Sequence, residues 1–332
     1  MARINVFITV DTEHSIGGAF NDRNLKPVGN EKRVWGKIGD KSFGIPLMMD
    51  IAETYNIRLT FFVEVMNKYY FGEGESKKIC EYIMNRGHDV QLHLHPNYLN
   101  FTLNNPLEKT YSDLIGTYNS EKQIELIQEG IEMLIQNGVS KPVAFRAGCF
   151  GANDETLRAL KAAGLFIDSS YNKAYVGDTC LLDHGAINDL TFLNEIWEFP
   201  ITSFVESTKV RATRFKPLDI NGVSFQEMKS VLNQAEESGP RNITIILHSF
   251  SFLKPYDVQY HKVRPRWNVI RRFRNLCQYI NEKSDVFEVK TFGSLDQEKL
   301  TQRSQESIHF FPKVPPIFSL MRGFEQLKDN LI

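Results

Sequence analysis

Eight short β-rich runs, each followed by a stretch of different periodicity, confine this chain to one class of fold. They are Ile4–Val10, Arg58–Val65, Asp89–His93, Val143–Arg146, Leu165–Asp168, Glu195–Phe199, Ile243–His248 and Phe287–Thr291. Between them apolar residues return at helical spacing, as in Ile45, Met48, Ile51, Ala52 and Tyr55, or Ile124, Ile127, Ile131, Leu134 and Ile135. Arg86-Gly87, Asn137-Gly138 and Ser238-Gly239-Pro240 stop those helices. Strand–helix alternation of this length predicts a parallel sheet, closed as a barrel or doubly wound.

Composition removes several function classes. The 39 basic and 40 acidic residues leave a formal charge of −1, so no global field favours nucleic acid or an anionic membrane. Hydrophobic residues at 42% suffice for a large core and argue against disorder. Cys80, Cys149, Cys180 and Cys277 form no Cys-x-x-Cys pair, so reduced thiols are expected rather than a disulfide scaffold or a zinc knuckle. The apolar opening run is strand-length and lacks a cleavage site, and no stretch reaches the roughly 20 apolar residues of a membrane helix. A cytoplasmic protein without a membrane span is the expectation.

The ionisable residues gather where the strands end. Asp11, Glu13 and His14 follow the first run, His93 and His95 the third, and Arg146 the fourth; Asp168, Glu198 and His248 close the next three. In a parallel α/β fold those ends share one face. Residues i and i+2 of a strand point the same way, so Asp11 and Glu13 pair, as do His93 and His95. Two imidazoles and a carboxylate make a three-donor set with a coordination position left open. Such a set acidifies bound water, and a second carboxylate can take its proton. His88, His184, His261 and His309 stand alone and are expected to be structural.

These residues lie in segments that resemble the polysaccharide deacetylase superfamily, the family 4 carbohydrate esterases and their relatives. The similar segments run in family order: Ile8–Glu13, Thr60-Phe61-Phe62-Val63, Gly87–Pro96, Phe145–Gly148, Phe166–Ser170, Glu198-Phe199-Pro200 and Ile246-Leu247-His248. The resemblance implies a distorted (β/α)7-8 barrel over residues 1–295. It also implies hydrolysis of an N-acyl group, usually N-acetyl on a sugar, with a divalent transition metal, zinc by default. It would make Asp11 the general base and Arg146 its electrostatic holder. His248 would be the general acid, positioned by Asp168, and Glu13, His93 and His95 the metal ligands. Thr12 stands where many relatives have a second aspartate, and Asn97 where many have the second histidine. Either Asp11 or Glu13 then supplies the metal carboxylate, and either His95 or Asn97 completes the site. Gly148 replaces a common proline, a change expected to alter a loop more than a role.

The insertion at 14–43 is long and aperiodic, and Arg33 and Trp35 within it are candidates for a sugar-binding lid, with Glu198 as a further substrate contact. Arg264, Arg266, Arg271, Arg272 and Arg274 form a basic run read as a solvated helix face that would also suit a phosphate-bearing substrate. Residues 296–332 read as an appendage, a polar linker and then an amphipathic helix. Its stripe of Ile317, Leu320, Met321, Phe324 and Leu327 is expected to pack on its own domain or on a twin subunit. The expected substrate is an N-acetylated sugar or glycan precursor, without nucleic acid. A non-sugar cyclic imide or ureide amidohydrolase and a non-catalytic glycan-binding barrel are the competing readings.

Overall fold

The computed structural model describes residues 3–206 and 214–331, with side chains through Gln326; Leu327 and Ile332 fall outside the side chains described. All eight expected strands are present: β1 (Ile4–Thr12), β2 (Thr60–Glu64), β3 (Asp89–Leu94), β4 (Ala144–Ala147), β5 (Ile167–Asp168), β6 (Ile196–Glu198), β7 (Asn242–His248) and β8 (Phe287–Val289). The order β7-β1-β2-β3-β4-β5-β6 is parallel throughout, and β8 joins the first half of β1 on the edge that β2 occupies further along. The curled sheet is completed between β6 and β7 by irregular chain. Thr202 N–H donates to the Thr244 carbonyl at 3.1 Å, and Ile246 N–H to the Leu218 carbonyl at 3.0 Å. The expected barrel is therefore real but distorted, with one wall lacking a full strand.

The strands are apolar on both faces because each has a core on each side. On the outside, α1 (Ile45–Thr54), α2 (Gly74–Asn85), α3 (Ser120–Gln136), α4 (Asp154–Ala162), α5 (Phe225–Ser238) and α6 (Trp267–Glu282) cover Val6, Ile8, Val63, Leu92 and Phe145. Inside, Phe7, Phe62, Ile167, Trp197, Phe199 and Phe292 form a separate cluster. Phe7 stacks on Phe292 at 4.8 Å and meets Phe199 edge-on at 5.1 Å. This aromatic plug fills the lower barrel and leaves only the ends of the strands for polar chemistry.

In the C-terminal helix α7 (Pro316–Leu331), Phe318 packs against the core, while the described part of the apolar stripe is not covered by its own domain. Ile317, Leu320, Met321 and Phe324 are all exposed, whereas Arg322 is buried. Arg322 donates to Glu227 at 2.5 Å and also pairs with Glu206; Ser319 donates to Glu227 at 3.1 Å, and Arg272 meets Glu325 at 3.1 Å. Charge docks the helix: Arg322 completes the pairing of Glu206, which Arg214 also holds, and of Glu227, which also accepts from Ser224. Arg272 is thus no part of a solvated basic face, although Arg271 and Arg274 are exposed.

Burial alone would raise the Glu206 carboxyl, but Arg322 and Arg214 hold it down at about 2. A depressed carboxylate adds stability above its unfolded range, near about 4.3, and loses it as pH falls toward its folded value. Denaturant midpoints measured at about pH 5 and about pH 3 should fall more for the native protein than for Glu206→Gln. The variant should already be the less stable of the two at neutral pH.

Candidate active site

Strand register decides which side chains meet. Asp11 lies opposite His248 on one side and Phe62 on the other, and Glu64, His93 and Arg146 form one row across β2, β3 and β4. Adjacent partners share a face, so these groups point into the barrel above the aromatic plug.

Arg146 is fully buried and spans the interior. It donates to Asp11 Oδ1 at 2.6 Å, to Thr9 Oγ1 at 2.9 Å, and to the carbonyl and hydroxyl of Ser169 at 2.9 Å each. Its guanidinium lies 4.2 Å from the Phe62 ring centroid. Asp11 is thereby locked in place beside His248. The Nδ1 atom of His248 is buried without a hydrogen-bond partner.

Glu13, His93 and His95 converge, their donor atoms all within 4.8 Å of one another. Glu13 Oε2 lies 2.6 Å from His95 Nε2 and 3.7 Å from His93 Nε2. His93 Nδ1 sits 2.8 Å from the Arg146 carbonyl, and His95 Nδ1 sits 2.9 Å from Asp113 Oδ1. Both partners accept, so each imidazole has an N–H at Nδ1 and turns Nε2 toward Glu13. Metal-binding histidines are oriented this way, and the donor set fits a divalent cation. Burial would raise the Glu13 carboxyl, yet His95, His93 and Arg33 pull it well below the usual carboxylate range. Burial would lower His95, but Asp113 and Glu13 push it well above its ordinary value.

His95, and not Asn97, is the second imidazole position of the cluster, because it remains in phase with His93. Asn97 already lies in the 3₁₀ segment Pro96–Thr102, its Oδ1 buried without a partner. Gly148 turns out to matter for this. A Cβ there would come within 2.6 Å of His95 Nδ1 and 2.7 Å of the Leu94 carbonyl, so the missing side chain makes room for the ring.

Several expected contacts lie elsewhere. Asp168 stands in register with Phe145 and Glu198, so it shares the outward face of the sheet and not that of Arg146. It accepts from the Ser170 hydroxyl at 2.6 Å and cannot position His248 from there. Glu198 is fully buried, accepts from Tyr171 N–H at 3.0 Å, and is no substrate contact. Burial raises both carboxyls, and the Asp168 charge raises Glu198 further. Arg33 is no lid residue: it is buried and ion-paired to Glu13 at 3.0 Å, donates to the Tyr260 hydroxyl at 2.6 Å, and lies 3.2 Å from the Phe250 ring centroid. Trp35 packs edge-on against Tyr82 at 5.2 Å at the margin of the outer core. His14 is buried against Phe71 at 4.8 Å, and burial lowers it to about 4, the mark of a neutral packing residue.

Three site residues were missed. Glu64 follows Phe62 at i+2 in Thr60-Phe61-Phe62-Val63-Glu64, so the same alternation points to it. It accepts from the backbone N–H groups of Met66 at 2.6 Å and Asn67 at 2.9 Å, and burial pushes it up to about 7 against the pull of His95. The Tyr98 hydroxyl is buried without a partner; burial and the charges of Glu64 and Glu13 raise it. Asp113, which orients His95, lies in irregular chain and carries no sequence signal. It also accepts from Cys149 Sγ at 3.4 Å.

No family model and no curated protein matches the sequence. Among solved structures, a protein named as a “putative polysaccharide deacetylase” from Mycobacterium smegmatis superposes with a TM-score of 0.53 over 94% of this chain and 93% of its own, at 15% identity. The chain has the polysaccharide deacetylase fold. Looser superpositions are found with a 4-alpha-glucanotransferase from Thermococcus litoralis (TM-score 0.49, 11% identity, 95% of this chain and 42% of that one). A family 4 carbohydrate esterase from Streptomyces lividans gives a TM-score of 0.42 at 11% identity, over 87% and 93% of the two chains.

Gly148→Ala tests the packing of His95. The new methyl should drive the ring off Asp113 and Glu13, weakening cation binding about tenfold or more, in the range seen for lost outer-shell support. Calorimetric metal titration checks this, with circular dichroism to show that the fold is kept.

Proposed function

We propose that this chain hydrolyses the N-acetyl or other N-acyl amide of a sugar, in the assembly of a surface glycan. The observation that carries this reading is Asp11, clamped by Arg146, side by side with His248 on neighbouring strands at the edge of the Glu13–His93–His95 cluster. An amide needs a base for the attacking water, an electrophile for the developing oxyanion and an acid for the amine that leaves.

Asp11 is the base in this scheme. Its Oδ1 is held by Arg146, which fixes the carboxylate plane. His248 is the acid, its strand position opposite Asp11 putting it across the reacting bond. Glu13, His93 and His95 would hold a divalent cation, zinc by default, whose chemistry is Lewis acidity toward an acyl oxygen. Arg33 keeps Glu13 ionised and aimed at both imidazoles. Tyr98, with its unpartnered hydroxyl near Glu13 and Glu64, is a donor for the oxyanion. The free state of Cys80, Cys149, Cys180 and Cys277 supports action in a reducing, cytoplasmic compartment.

Acetate release from a panel of N-acetylated sugars and their phosphate esters, alongside cyclic imides and ureides, tests the reading. Asp11→Asn and His248→Ala should each lower kcat by roughly 10²–10⁴ with the fold intact. Full turnover by both variants, or turnover restricted to the non-sugar amides, would overturn it.

A further inference from the structure

A second cavity opens beside the site, on the far side of the Cys149-Phe150 turn. Its volume is ≈ 580 Å³, and its lining includes Lys173, Tyr175, Arg214, Phe215, Lys216 and Asp219. The helical turn Lys173–Tyr175 forms one wall and the strand Arg214–Pro217 the other. The Tyr175 ring lies 5.4 Å from that of Phe150. Phe150 follows Cys149, whose thiol donates to Asp113, the residue holding His95. Phe150, Cys149 and Asp113 thus link the cavity wall to His95.

Three of its six named residues are cations and one is a carboxylate. Arg214 is shared with Glu206 at 2.6 Å, and Lys173 donates to the Gly185 carbonyl at 3.2 Å while its ammonium lies 5.6 Å from the Phe215 ring centroid. Lys216 is half-buried; burial and the nearby Arg322 charge lower it to about 8, against the Glu206 and Glu227 charges that raise it. Tyr175 and Phe215 expose 39% and 36% of their surfaces at the same place. Cations beside open aromatic faces recognise a phosphate group and can stack a ring attached to it.

We propose that this cavity binds the phosphate-bearing part of the substrate, so that the acylated sugar enters the barrel as a phosphate or diphosphate ester. The idea rests on the reading of Asp11 and His248 as an amide-hydrolysing pair. The same phosphate chemistry is offered by a nucleoside diphosphate and by a diphosphate on an apolar carrier.

Titration calorimetry of the full chain with inorganic pyrophosphate and with uridine diphosphate, at low ionic strength, tests the proposal without any turnover. The native protein should bind both. Lys216→Met and Lys173→Met should each weaken both by about tenfold, the scale of one charge-assisted hydrogen bond. If Tyr175→Ala weakens uridine diphosphate alone, the nucleoside form is the substrate; equal binding of the two probes, unmoved by Tyr175→Ala, points to the apolar carrier. Failure of the native protein to bind either probe, or lysine variants that bind as the native protein does, overturns the proposal. Pyrophosphate binding by a protein that hydrolyses no sugar amide would instead reject the functional reading and leave the anion site standing.

Discussion

One buried guanidinium organises the interior of this barrel. Arg146 holds a charged group that is itself sealed from solvent, a position that costs several kcal/mol unless it is paired and hydrogen-bonded. Here Asp11 neutralises it, Thr9 and both oxygens of Ser169 accept three more of its five N–H protons, and the Phe62 face lies against its plane. Its partners come from β1 and from the chain after β5, on opposite sides of β4. The interaction therefore ties three separated parts of the sheet together and sets Asp11 to within a hydrogen bond. Truncating Asp11 would leave a lone buried cation, so the same pair that proposes a catalytic role also holds up the fold. The Asp11→Asn exchange keeps a hydrogen-bond acceptor there but removes the neutralising charge, so circular dichroism of the variant is what separates lost chemistry from a lost fold.

The same alternation that made part of the site legible in the sequence concealed another part. Within one strand the period of two is unambiguous, so the pairing of His93 with His95 could be read directly, and the positions of all eight strands followed from composition and turn signals. Glu64 was equally readable and was overlooked because the family pattern stops one residue earlier. Across strands, facing depends on register, which local sequence does not contain. Asp168 closes β5 just as Arg146 nearly closes β4, yet the register sets Asp168 against Phe145 and leaves Ser169 to meet Arg146. A one-residue offset moves a side chain to the other face of the sheet, and the expected carboxylate became half of a buried pair with Glu198. Asp113, in chain without periodicity, had no signal at all.

The departures from the common deacetylase pattern are coupled to one another in space. Moving the second imidazole from four residues after His93 to two keeps it on β3's trajectory, before the chain turns into 3₁₀ geometry at Pro96. That brings the ring close to the start of the next strand-end loop, where only a residue without Cβ fits, and Gly148 is there. The carboxylate shifts in step: with Thr12 turned outward into the core, Glu13 must reach in from beyond the strand end. Arg33, supplied by the insertion, steadies it from behind. The insertion thus completes the site's inner wall instead of covering its mouth.

The C-terminal helix follows the rule that governs Arg146, applied at the rim. Glu206 and Glu227 are buried acids on separate elements, and Arg322 answers both at once, much as Arg146 answers Asp11 and Ser169. A helix whose Arg322 answers buried acids turns that side inward, and Ile317, Leu320, Met321 and Phe324 then face out. The sequence showed the amphipathic stripe but could not show which side was wanted, because the demand came from acids 95 and 116 residues away. Amphipathicity alone states that two faces differ; the charges already buried in the partner decide which of them is covered.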